Sequence, residues 1–318
     1  MRKLIFILTS IVLLAAGCER KFLIEPGHHH GNEIYLEIDL DAPLDEEVRT
    51  KEDNPDMYKE LLSTARTVTV IAYPVDAQGY YGVHKIDSLA GSIWLMPGKY
   101  DLMIYTSDFF DLDGTFYRGT TDPEAMEAFT NQVKSSKTKE SNIETYDMDE
   151  PDPLFVCYYK NFEVKDDTHS LKTGLQPMIY KYWYEVNVEG LDYITSAWFE
   201  IDGMYTSVFM KDGTHKEEEY GNMRVESKML KDENKIQGEF FSFGPHQDSS
   251  VENSIVLTFI NGRTIRVPMN DISPSVKELR KGGEIIITQK IVINIGDTGS
   301  GFTPEVKDWE EEEVVIPI

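Results

Sequence analysis

From residue 33 to its end the chain is a succession of short apolar runs, many alternating with polar residues and separated by Gly, Pro, Asn or Asp. "EIYLEIDLD" (33–41) sets Ile34, Leu36, Ile38 and Leu40 against Glu33, Glu37 and Asp39. Successive side chains of a strand point to opposite faces, so this period of two predicts a half-buried strand. β-Branched and aromatic density marks further strands in "RTVTVIAYPVD" (66–76) and "PLFVCYYKNFEV" (153–164). "GSIWLMPGKYDLMIYTSD" (91–108) reads as a hairpin, with Pro97 and Gly98 at the central positions of a type II turn.

The second half repeats the pattern in "YKYWYEVNVEG" (180–190), "TSAWFEIDGMYTSVFM" (195–210) and "GEFFSFGP" (238–245). In "NSIVLTFINGRTIRVPM" (253–269), Asn261-Gly262 between alternating runs signals a two-residue hairpin. "GGEIIITQKIVINIG" (282–296) is one long strand or a kinked pair. Only two helices are expected, one over Asp56–Ser63 and one running from Asp122, an N-cap followed by Pro123, to about Ser135. "KDDTHSLKTGLQP" (165–177) is polar enough to be a linker, which divides the chain into domains at 33–170 and 171–318. Short strands with frequent turns suggest sandwiches.

The N-terminus is of another kind. Arg2 and Lys3 precede an apolar run, Leu4 to Leu14, that would rise only about 16 Å as a helix against roughly 30 Å of bilayer hydrocarbon. With small residues at Ala15, Ala16 and Gly17, residues 1–17 read as a secretory signal peptide. The expected cut falls directly before Cys18, and Leu14-Ala15-Ala16-Gly17-Cys18 resembles the lipobox of bacterial lipoproteins, in which the cysteine is acylated. Residues 18–32, "CERKFLIEPGHHHGN", mix charge, Pro, Gly and histidine without period and read as a flexible tether.

The formal charge of −25 excludes a nucleic-acid partner, because phosphate backbones would be repelled. The same charge repels anionic lipid head groups, so attachment has to come from acyl chains. The other cysteine, Cys157, then has no partner, and no disulfide framework is expected.

The order of these features resembles the fimbrillin-type lipoproteins of Bacteroidetes, a family of fimbrial shaft, tip and anchor subunits with a related group of surface lipoproteins of unassigned function. The matching pieces are Cys18-Glu19-Arg20-Lys21 ahead of the first strand, the Pro-Gly turn in "IWLMPGKYDLMIYTSD", the "EIDGMYTSVFM" strand pair and the closing "GFTPEVKDWEEEEVVIPI". The resemblance implies a mainly β fold of two tandem transthyretin-like Greek-key sandwiches with a few short helices. It implies an outer-membrane lipoprotein exposed at the cell surface, with no enzymatic activity. Its role would be that of an anchor or accessory subunit of a fimbria-like assembly, in cell adhesion. Partners would be other fimbrillin-like subunits, joined by strand addition, in which backbone hydrogen bonds give affinity and side-chain pockets give specificity. Shaft subunits of that family lose their first strand to a protease that cuts after arginine, and anchor subunits keep it. Arg49 follows the first strand in a charged loop and is either such a site or a solvated arginine. Val314, Val315 and Ile316 suit either an internal strand or a donated one. The alternative is a glycan-binding lipoprotein serving polysaccharide uptake.

No cofactor, metal or catalytic site is expected. His28-His29-His30 lies on the tether, without the fixed geometry a metal needs. "SDFFDLDG" (107–114) resembles a calcium loop only faintly, since Phe109 replaces the first ligand. Cys157 sits among apolar neighbours as a small core residue. The remaining histidines, His84, His169, His215 and His246, form no recognisable constellation, and Glu217-Glu218-Glu219 and Glu310–Glu313 read as solvated faces. Trp94, Trp183 and Trp198 are core residues or, alternatively, a sugar-stacking platform.

Overall fold

The computed structural model describes residues 31–76, 79–107, 114–134, 146–247, 253–269, 273–295 and 302–308. Cys18, the histidine run, the 108–113 acids, Glu310–Glu313 and Val314–Ile316 lie outside the described residues. The fold is mainly β, with helices α1 (Met57–Ser63) and α2 (Ser273–Glu278).

The first half is organised around two facing sheets. One is β1 (Asn32–Ile38) between β4 (Ala90–Leu95), antiparallel to it, and β11 (Ser170–Thr173), parallel to it. The other runs β12 (Gln176–Pro177), β10 (Phe155–Val164), β5 (Gly98–Ser107), β2 (Thr67–Pro74), β3 (Gly82–Ile86). Ile34, Leu36, Ile93, Val68, Val70, Leu102 and Ile104 fill the space between, closed by Tyr58 and Leu62 of α1. The five-stranded sheet is covered on its other face too, where Ile71, Tyr73, Met103 and Tyr105 enter a separate core. Coverage on both faces explains why 67–73 and 102–106 are continuous apolar and threonine runs rather than alternating ones.

That separate core is roofed by a small sheet, β6 (Phe116–Arg118), β7 (Glu127–Phe129) and β15 (Ser207–Phe209). The second half is one long curled sheet in the order β19 (Thr264–Met269), β18 (Asn253–Phe259), β14 (Ile194–Tyr205), β16 (Tyr220–Leu230), β17 (Lys235–Ser242), β13 (Tyr180–Glu189), β21 (Gln289–Ile295), β22 (Phe302–Asp308). β20 (Gly283–Ile285) joins β13, while β8 (Gln132–Lys134) pairs with β9 (Tyr146–Met148), which lies parallel to β16. Tyr182, Tyr184, Phe199 and Phe240 form the centre of this core. Gly238 leaves room for one of them, since a β-carbon there would lie 2.3 Å from the Tyr184 hydroxyl.

The structure differs from the sequence reading in five places. The strands flanking Pro97-Gly98 are not paired: β4 bonds to β1 and β5 to β2 and β10, so the turn is a corner between sheets. The buried Tyr100 hydroxyl fixes that corner by donating to the Met96 carbonyl at 3.0 Å. The described residues 122–134 form no helix; Asp122 accepts the Glu124 N–H at 2.9 Å in a turn, and the following residues form β7 and β8. Pairing of β7 with β6 and β15 overrides the helix-start signal. The "SVF" strand thus joins β7 rather than folding back on β14. The Asn261-Gly262 hairpin has a three-residue loop: Phe259 and Arg263 pair across it at 2.8 Å, with Gly262 at φ +80°. A β-carbon at Gly262 would touch nothing within 4 Å, so the requirement is backbone conformation alone. Finally, 165–177 contains β11 and β12, and Leu171 and Leu175 belong to the first core. The 282–296 segment is the kinked pair, β20 and β21, both parallel to β13.

Candidate functional site

The first strand is an inner one. Ile34 and Leu36 are fully buried, and backbone bonds run to both neighbours, including the Tyr35 N–H to the His169 carbonyl at 2.9 Å. The loop after it, 39–56, crosses from the first core to the second half. Val48 packs on both cores. The Arg49 side chain is exposed, but its N–H donates to the Lys281 carbonyl at 3.0 Å. On either side, Lys281 Nζ lies 2.8 Å from Asp45 and 3.0 Å from Glu47, and Lys51 pairs with Glu239, which also holds Lys181 at 2.6 Å. The hydrogen bond from Lys281, then that from the Glu47 N–H, lowers the Asp45 carboxyl below its ordinary value. The backbone around Arg49 is therefore clamped, whereas a protease requires an extended segment free to enter its cleft.

A second junction lies at the β6–β7–β15 sheet. Glu127, its side chain 7% exposed, receives Arg118 Nε at 2.7 Å and Lys216 Nζ at 2.6 Å. Arg118 also reaches Glu219 at 2.7 Å, and Glu219 accepts the Ser207 hydroxyl at 3.0 Å. Burial opposes ionisation of Glu219, but the bonds from Arg118 and Ser207 outweigh it and hold its pKa low. Beside this network the His215 ring stacks on Tyr205 at 4.1 Å between centroids, and His246 packs against Tyr205 at 5.2 Å and Tyr220 at 4.4 Å. His215 Nδ1 meets the Ser207 carbonyl at 2.9 Å and His246 Nε2 the Glu217 carbonyl at 2.8 Å. Burial lowers the His215 pKa.

The sequence reading missed this cluster. It took Glu219 for a solvated acid and saw no grouping of the histidines, which both pack against Tyr205, while the β7–β15 pairing brings Glu127 to Glu219 and its partners. Among the described residues no group of three His, Cys, Asp or Glu side chains could hold a metal. Cys157 is a free thiol, half-buried at the edge of the first core, with Sγ 3.3 Å from Thr173 Oγ1. Of Trp94, Trp183 and Trp198, the first is 44% exposed, Trp183 packs half-buried against the first core beneath Lys51 at 5.5 Å, and Trp198 is half-buried under Arg224 at 4.7 Å. No helix among the described residues is long and apolar enough to cross a membrane.

Comparison with known proteins meets the resemblance to fimbrial subunits. The sequence pattern of the family described as "Domain of unknown function (DUF5119)" matches residues 58–225. A protein of Bacteroides ovatus named "Putative fimbrium anchoring subunit Fim4B" is 21% identical over 200 residues, which is 62% of this chain and 53% of that protein. The chain thus spans about half the length of the curated relative it matches. A crystal structure titled as a "putative adhesin" from Bacteroides ovatus superposes with a TM-score of 0.53 at 16% identity, over 82% of this chain and 89% of that one. The fimbrial anchor protein Mfa2 of Porphyromonas gingivalis gives a TM-score of 0.37 at 11% identity, over 88% and 98%.

Proposed function

The chain belongs to the DUF5119 family, and from that premise we propose that it is a lipid-anchored, non-enzymatic surface protein, an anchor or accessory subunit of a fimbria-like assembly. It consists of two transthyretin-like sandwiches, the first ending after β12 and the second contributing the long curled sheet. The relative named as a fimbrium anchoring subunit supports the class of role. The observation that carries the reading is the fate of β1: buried between β4 and β11 and followed by a clamped loop, it suits a subunit that keeps its first strand. On this reading Arg49 is not cut in maturation, Cys18 carries the acyl chains that hold the protein at the outer membrane, and Val314–Ile316 pair with a neighbouring subunit. Two acyl chains, at about 0.8 kcal/mol per buried methylene, make such attachment effectively permanent.

The test is N-terminal analysis and fractionation of the native protein with its Cys18→Ser variant. Surface protein should begin at Cys18, retain residues 33–41 and leave the membrane fraction when Cys18 is replaced. A native chain beginning at Thr50 would sink the anchor reading. A glycan-binding role in polysaccharide uptake is the second reading, favoured by the exposure of Trp94 and Tyr35 on one sheet face.

A further inference from the structure

The outer face of the β11–β1–β4 sheet carries a hollow of about 480 Å³ lined by Asn32, Glu33, Tyr35, Ser92, Trp94 and His169. We propose that this hollow binds an uncharged oligosaccharide, two successive sugar rings stacking on Trp94 and Tyr35 while Glu33 and its polar neighbours take the hydroxyls.

The placement follows from register. Glu33 lies directly opposite Trp94, and Tyr35 directly opposite Ser92, on antiparallel strands. Trp94 and Tyr35 are therefore diagonal neighbours, within reach of one another's ligand and separated by roughly 7 Å, the scale of a pyranose ring and its linkage. The alternate residues Ile34, Leu36, Ile93 and Leu95 fill the core, and Tyr35 and Trp94 are left 48% and 44% exposed on the outer face. The inward residues fix both strands, so the platform is preformed and little ordering is needed on binding.

The rim selects the ligand class. A carboxylate, an amide, a hydroxyl and an imidazole beside two aromatic rings offer hydrogen bonds around an apolar floor, the arrangement that suits a molecule with hydroxyls at its edge and C–H groups on its faces. Among the described residues Glu33 has no ion-pair partner, whereas Glu37 at the far end of the face is paired with Lys172 at 3.2 Å. An acidic glycan would meet Glu33 and a chain of net charge −25. A lipid or an apolar peptide would cover two rings and offer no hydrogen bonds to the Glu33 carboxylate, the Ser92 hydroxyl or the His169 imidazole, while the Asn32 amide already donates to the Lys165 carbonyl.

The inference deepens the second reading above by naming its site. The experiment titrates the full-length protein in detergent with neutral cello-, malto-, laminari- and manno-hexaoses and with oligogalacturonate. Indole fluorescence and saturation-transfer NMR are followed for the native chain and for Trp94→Ala, Tyr35→Ala and, as a control for the 69% exposed Tyr80, Tyr80→Ala. The expected result is a neutral oligosaccharide bound by the native chain, roughly tenfold or more weaker with Trp94→Ala and unchanged with Tyr80→Ala. Perturbation of the Trp94 indole and His169 imidazole signals in the native chain gives the same answer should a variant lose its fold. Absence of binding by every neutral member, preference for oligogalacturonate, or binding indifferent to both ring deletions would overturn the proposal. None of these outcomes touches the anchor reading, which rests on the N-terminus and the membrane fraction.

Discussion

The two halves of the molecule meet at two junctions that use the same kind of contact in opposite settings. At the β7–β15 junction, Glu127 is held by Arg118 and Lys216 on the roof of an apolar core containing Met126, Val208 and Phe243. At the 39–56 loop, Lys281 meets Asp45 and Glu47, whose side chains are 46% and 73% exposed. The comparison teaches that ion pairs must be weighed by burial. A buried charge stripped of its partners keeps its desolvation cost, while an exposed one is simply rehydrated.

The largest expected effect therefore comes from stranding Glu127. The double variant Arg118→Leu/Lys216→Leu should lose about 3–5 kcal/mol in urea unfolding, while adding Glu127→Leu should recover much of it. A loss no greater than that of an exposed pair would mean that this junction is held by apolar packing alone.

Acid should act next, and also first at the buried junction. Burial depresses the His215 pKa below its ordinary 6.5; Asp212 opposes the shift and His246 adds to it. The unfolded chain then takes up a proton from pH 6.5 downward that the folded chain refuses, so stability falls as pH drops below that value. Partly buried His84 is shifted in the same direction and adds to the fall. Glu219, with its pKa lowered, contributes stability that is present above 4.5 and lost as pH falls through its folded value. Glu150 works the other way: burial pushes its carboxyl up to about 7, so the folded chain takes up a proton there that the unfolded chain takes only near 4.5, and stability gains as pH falls between those values. Thermal melting of the native and His215→Gln proteins from pH 8 to 4 should therefore diverge below pH 6.5, the variant losing less, with a further decline of both as Glu219 is protonated. Parallel curves for the two proteins would deny the imidazole cluster any part in the junction.

Both junctions were hidden from the sequence for one reason. Alternation fixes which residues form strands, and β1, β2, β10, β13 and β18 fall where period and β-branched density put them. Nothing local says which strand will be the neighbour. The Pro97-Gly98 turn looks the same whether it closes a hairpin or turns a corner between sheets. Asp122-Pro123 carries a helix-start signal that pairing with β15, about 80 residues away, overrides. Polarity made 165–177 look like a linker because edge-strand β11 alternates, burying Leu171 and exposing Ser170 and Lys172. Arg118, Glu127, Lys216 and Glu219 are ordinary surface-type residues in the sequence and become a site only through contacts made at long range.

The smallest effect on global stability, and the one that sharpens the contrast most, is expected at the loop. Lys281→Ala removes two exposed ion pairs and should cost only about 0.5 kcal/mol of unfolding free energy, with the native pairs weakening as salt is raised. The carbonyl that accepts the Arg49 N–H is backbone and survives the substitution. Local opening is another matter, because a clamp too weak to register in global stability still sets how often the segment detaches. An arginine-specific protease acting on the folded protein should therefore cut after Arg49 several-fold faster in Lys281→Ala, and faster still when Lys51→Ala removes the pair to Glu239. Equal cutting rates in the native and variant chains would show that the ion pairs leave the loop's opening unchanged, and that β1 is protected by its own ladder rather than by the clamp behind it.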